Sequence, residues 1–61
     1  MQHLVVLDYN THSVLFFKAS NEVEINEDYI RDHLNLNPDE CVWMISNSGI
    51  NLQFNNNYDL Q

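Results

Sequence analysis

Two aspartates, one histidine and one cysteine are the side chains whose type and spacing could support chemistry in this chain of 61 residues. Asp28 and Asp32 are four positions apart, so on a helix both carboxylates share one face and could bind a cation or a basic surface. The more common role of such a pair is a solvated helix surface, and no calcium-loop pattern of alternating acids around a glycine accompanies it. We therefore expect no metal at this pair.

The histidine and the cysteine have a possible catalytic role and a more common structural one. His33, four positions after Tyr29, could be a general base, but a histidine at a helix end more often interacts with the last carbonyl groups of that helix. Cys41 could be a nucleophile, but it lies in an apolar run beside Trp43 with no basic neighbour to stabilise a thiolate. A buried thiol that packs as a small apolar group is the more common outcome.

No motif assembles the remaining reactive residue types into a site. Serine, histidine and aspartate all occur, but no nucleophile elbow or glycine-rich loop positions them. No paired spacing joins the three histidines to the single cysteine in a metal site. The sequence predicts a protein that is not an enzyme, with no catalytic residue, no cofactor and no metal.

Net charge narrows the class of partner. Nine acidic residues oppose two basic ones, and the formal net charge is −7. Such a chain is repelled by nucleic acid and by anionic membranes and is attracted to basic surfaces. The acidic block between positions 22 and 40 is interpreted either as solubilising and helix-capping charge or as a face that docks on a basic protein. The residues assigned to that acidic face are Glu24, Glu27, Asp28, Asp32, Asp39 and Glu40.

The length allows one domain, which we place at residues 1–54, followed by a polar tail at 55–61. A core of this size supplies about 3–5 kcal/mol, and a single cysteine cannot form an intramolecular disulfide, so a partner or self-association is expected to add support. The apolar run Leu4–Leu7 is too short for a signal peptide, and no stretch is long enough to span a membrane. The unpaired cysteine suits a reducing compartment, and the expected location is cytoplasmic.

Two apolar runs near the N-terminus predict a β-hairpin. Residues 4–9 and 14–19 are rich in β-branched and aromatic side chains and flank a polar turn at 10–13. The expected cross-strand pairs are Tyr9 with Val14, Leu7 with Phe16, and Val5 with Lys18.

A short helix is predicted from Glu27 to about Asn35. Asn26 is a good N-cap, and the acidic residues after it favour the positive end of the helix dipole. Ile25 and Ile30 have the spacing of a hydrophobic staple, and Pro38 makes continuation of the helix unfavourable.

A second hairpin is predicted from strands at 41–46 and 50–54, although Asn37-Pro38 could instead cap a second helix. The expected fold is α+β, with a four-stranded antiparallel sheet of two hairpins and one helix on one face, in the order β-β-α-β-β. Trp43 is expected in the core, with an interface contact as the alternative.

Apolar side chains occur on both faces of the first hairpin, whereas one helix can cover only one face. We therefore expect a homo-oligomer, or a complex with a partner, packed through Leu7, Tyr9, Phe16 and Met44.

Asp8-Tyr9, the acidic helix and the segment Glu40–Ile45 leading to Ile50-Asn51-Leu52 resemble short proteins of gut Bacteroidetes and their mobile elements and phages. That group carries no assigned activity, so the resemblance supports the fold and implies no function. The functional hypothesis is a small acidic module that binds another protein, as an inhibitor or regulator of a basic, nucleic-acid-handling protein would, without touching nucleic acid or membrane itself. The alternative is a structural role through assembly of the apolar sheet face.

Overall fold

The computed structural model describes residues 1–53, and within them the chain forms one antiparallel sheet and one short α-helix. The elements are β1 (Gln2–Asp8), β2 (Ser13–Ala19), α1 (Glu27–Asp32), a single 3₁₀ turn (Pro38–Glu40) and β3 (Cys41–Ser46). The α+β class expected from the sequence is confirmed. The tail predicted at 55–61 lies outside the described residues.

The prediction of a four-stranded sheet made of two hairpins is wrong. The sheet of the described residues has three strands in the order β2-β1-β3, and β3 pairs antiparallel with β1. Residues 50–53 form no strand, and Phe54, the last residue of the expected fourth strand, lies outside the described residues. The physical reason is that β1 is apolar on both faces, as suits a central strand, so it accepts β3 along its free edge.

The first hairpin forms, but its register differs by two residues from the predicted one. Val14 lies opposite Leu7 rather than Tyr9, and Phe16 lies opposite Val5 rather than Leu7. The cause is the loop: the Asp8 carboxylate accepts hydrogen bonds from the Asn10 N–H (2.9 Å) and from the Thr11 hydroxyl (3.0 Å). These bonds close a four-residue loop at 9–12, in which His12 has a φ of 57°.

The helix begins where the sequence predicts and ends earlier. The Asn26 side chain accepts a hydrogen bond from the Tyr29 N–H at 3.0 Å, so Asn26 is the N-cap. The helix ends at Asp32 rather than Asn35, because Asn35 has a φ of 58° and Leu36 donates its N–H to the Ile30 carbonyl at 3.1 Å. Asparagine tolerates this left-handed conformation better than most residues.

The core lies between the helix and one face of the sheet, called here the covered face. Leu4, Val6 and Ile30 are fully buried in it. Side chains packed around these three are partly buried: Leu15, Phe17, Ile25, Leu34, Leu36, Cys41 and Trp43. Trp43 therefore belongs to the core side, as expected, and Ile25 packs against the same cluster as Ile30.

The connection between β2 and β3 is anchored at its N-terminal end by Gln2 and at its C-terminal end by the Tyr9 N–H, which donates to the Glu40 carbonyl at 2.9 Å. The Gln2 side-chain amide donates hydrogen bonds to the carbonyls of Ser20 (2.8 Å) and Val23 (2.7 Å). The sequence allowed a second helix beginning at Asn37-Pro38. In the structure this segment is only the 3₁₀ turn, in which the Asn37 side chain accepts a hydrogen bond from the Asp39 N–H at 3.1 Å. The apolar residues of this connection are thereby held against the covered face.

Candidate interaction surface

The other face of the sheet, called here the open face, is apolar and exposed. In register, its two apolar rows are Phe16–Val5–Met44 and Val14–Leu7–Val42. The exposed fractions of Phe16 and Met44 are 51% and 54%, and Leu7 in the middle of the sheet is 40% exposed. Because antiparallel sheets normally carry polar residues on a solvated face, this composition makes the open face the candidate interaction surface.

Polar residues border the open face, and near the 9–12 loop His12 lines a cavity together with Leu7 and Val14. The third row is Lys18–His3–Ser46, and beyond the opposite end of β1 lies Tyr9, which is 60% exposed. The four residues assigned to an interface from sequence are thus all exposed, three of them on the open face and Tyr9 at its end. Their role in binding remains a prediction.

The surface of the open face is not flat. Phe16 projects from β2, whereas a hollow of about 200 Å³ lies between β1 and β3. The residues that line this hollow are Val5, Leu7, Val42, Trp43 and Met44. A flat apolar surface can only stack, but a protruding aromatic ring beside an apolar hollow can also interlock with a partner of complementary shape.

Sequence reasoning placed Val14 and Val42 on this side of the sheet but did not assign them to the interface. Both lie on the open face, with exposed fractions of 54% and 48%. Strict alternation within each strand contains the signal needed to include them. They complete a patch that spans all three strands.

The acidic residues occupy a different part of the molecule. All seven acids of the connection between β2 and β3 are exposed, and none is on the open face. Arg31 pairs with Asp28 and also with Asp32, at 3.5 Å from its Nε to the Asp32 Oδ1. The helix therefore neutralises part of its own charge. Glu24, Glu27, Asp39 and Glu40 are exposed acids of the same connection.

The side chains considered for catalysis are not assembled into a reactive group. The rings of Tyr29 and His33 stack on each other, with centroids 4.8 Å apart, at the end of the helix. Burial raises the pKa of the Cys41 thiol, and the negative charges of Asp8 and Glu40 raise it further. A raised pKa keeps this thiol protonated at neutral pH, where it is a poor nucleophile. Within residues 1–53, no group of histidine, cysteine and carboxylate side chains is placed to hold a metal ion.

The fold and this surface define a small α+β protein with a three-stranded antiparallel sheet, of which residues 1–53 pack on one face only. No family model, no curated protein and no solved structure matches the chain. Among residues 1–53, no helix has the length and apolar character needed to cross a membrane.

Proposed function

We propose that this protein is a non-enzymatic interaction module whose binding surface is the open face of its sheet. The observation that carries the proposal is the apolar patch that residues 1–53 leave exposed, which spans three strands, while the helix packs on the other face. Three strands about 4.8 Å apart, two of them seven residues long and the third six, give this face an area of roughly 300 Å².

The size of the patch indicates what kind of partner it suits. Two of the three rows of the open face are apolar, so burying roughly 200 Å² of apolar surface is worth about 5 kcal/mol at 25 cal/mol per Å², whereas association costs about 4–15 kcal/mol. The open face alone barely offsets that cost. A partner must therefore bury apolar surface of its own, which favours a protein with an apolar patch over a strongly hydrated ligand.

Substitution of the protruding aromatic residue tests the proposal. Phe16→Glu places a charge within the patch and should abolish binding, because a carboxylate there would have to be desolvated in the complex. The protein is expressed in its own host cells, and the lysate is separated by gel filtration. The measured quantity is the size of the species in which the protein elutes. Leu52→Glu is the control, since Leu52 is 60% exposed and lies outside the strands.

Wild type and the control should elute in a larger species than Phe16→Glu, and all three should unfold with similar free energies. Wild-type protein that elutes at the size of the free chain in its own host lysate would contradict the open face as a binding surface.

A second candidate function is docking on a basic protein through the acidic face. Two observations support it: every acid in the connection is exposed, and none of these acids lies on the open face. Small acidic regulators of nucleic-acid-handling enzymes have this charge, although the similarity is one of charge and size only.

Neutralising the acids that Arg31 does not contact tests this candidate. Replacing Glu24, Glu27 and Glu40 with glutamine should weaken capture by a basic protein at least tenfold at low salt, and added salt should weaken wild-type binding in the same direction. The free energy of unfolding should change by less than about 1 kcal/mol, because exposed charges contribute little to stability. Binding to a basic partner that is insensitive to both changes would rule out the acidic face.

A further inference from the structure

We infer that the open face binds a second copy of this chain, in a twofold dimer whose axis runs along β1. The inference rests on the function proposed above, since it names the partner of that surface. In this arrangement β2 of each copy lies over β3 of the other, because β1 is the central strand of the sheet.

Charge restricts the orientation in which a second copy can bind. The chain carries a formal net charge of −7, so two copies repel each other in most orientations. The open face bears no acid among the described residues, and the seven acids of the connection belong to the segment packed on the covered face. Contact through the two open faces therefore points both acidic regions outward, at the largest separation the fold allows, and repulsion is least in this orientation.

Shape favours the same arrangement. In the central row, Phe16 on β2 and Met44 on β3 lie on either side of Val5. A twofold axis along β1 places Phe16 of each copy over Met44 and the adjoining hollow of the other. The protruding ring then enters a hollow lined by apolar side chains, twice per dimer, with a favourable sulfur–aromatic contact. Such reciprocal contacts are what a closed twofold interface requires.

The area of the interface indicates how tightly the dimer should associate. Two faces of roughly 300 Å² bury about 600 Å² in total, below the roughly 1,200 Å² of a standard stable interface. The dimer should therefore form in the range of about 10–100 µM rather than at nanomolar concentrations.

Analytical ultracentrifugation of the purified chain, combined with charge complementation, tests the arrangement. Phe16→Glu and Met44→Lys should each give a monomer up to about 1 mM, a loss of more than tenfold in association, while Leu52→Glu should dimerise as the wild type does. An equimolar mixture of the two monomeric variants should associate again. One introduced carboxylate then lies over one introduced ammonium group, and the second Phe16–Met44 contact is intact.

The salt dependence of dimerisation of the wild-type protein is a further test. Because like charges point outward, higher salt should leave dimerisation unchanged or strengthen it slightly, opposite to its effect on docking to a basic protein. Circular dichroism of each variant verifies that the monomers are folded. If Phe16→Glu is unfolded, Val14→Glu and Val42→Lys, which face each other across the same axis, replace the pair of variants.

Each alternative outcome overturns the inference in a distinct way. A wild type that stays monomeric to about 1 mM excludes the second copy, even where the host-lysate complex survives and the open face binds a different protein. A dimer unaffected by either substitution uses another surface. Two monomeric variants that do not associate when mixed exclude the twofold axis along β1.

Discussion

Ile30→Ala is expected to destabilise the protein by about 2–4 kcal/mol, the range for removing most of a buried aliphatic side chain. Ile30 is fully buried and is the only buried residue that the helix contributes to the core among the described residues. A domain of this size has only a few kcal/mol of stability in total, so the substitution should leave much of the population unfolded at 25 °C. Urea denaturation followed by Trp43 fluorescence measures the change.

Two further variants show whether the effect comes from burial. Ile30→Val removes one methylene group and should cost about 0.5–1.5 kcal/mol, and Leu52→Ala, at an exposed site, should cost less than about 0.5 kcal/mol. An Ile30→Ala protein that keeps the wild-type denaturation midpoint would mean that the helix does not dock on the sheet through this residue.

Asp8→Ala is expected to destabilise the protein by about 1–3 kcal/mol, because it removes the acceptor for two hydrogen bonds in a buried position. Asp8 is 6% exposed, and its carboxylate receives the Asn10 N–H and the Thr11 hydroxyl. Without it the Asn10 N–H loses its partner, and the four-residue loop loses the contact that sets the hairpin register. Thermal unfolding gives the stability, and cross-strand NOEs between β1 and β2 give the register.

Asp8→Asn is the matched control. The amide keeps an oxygen that can accept from the Asn10 N–H, so this variant should retain the register and lose less than half of the stability lost by Asp8→Ala. If Asp8→Ala and wild type unfold with the same free energy and show the same NOEs, the loop is held by something other than this carboxylate.

Local sequence signals predicted those elements that depend on neighbours in the chain. Asn26 and the two acids after it define the start of the helix, since capping involves only the next three residues. The helix end was misplaced by three residues because it is decided by the left-handed Asn35, which the apolar spacing does not reveal.

Strand faces were predicted better than strand partners. The hairpin register was wrong by two residues, but side chains alternate with a period of two, so every β1 and β2 residue remained on its expected face. For that reason the sequence alone indicated an apolar face that one helix could not cover.

The partner of β3 was decided only by the tertiary structure. The alternation of Ile50 and Leu52 with polar residues suits a strand, and proximity in sequence favoured pairing it with β3. In the structure β3 instead forms a ladder with β1, from Asp8 opposite Cys41 to His3 opposite Ser46. Alternation specifies which side chains share a face but carries no information about which edge a strand joins. The sequence by itself therefore determined an acidic α+β chain with two apolar faces. Folding placed the three strands side by side, because a central β1 buries Leu4 and Val6 beneath Ile30 while both of its edges are paired.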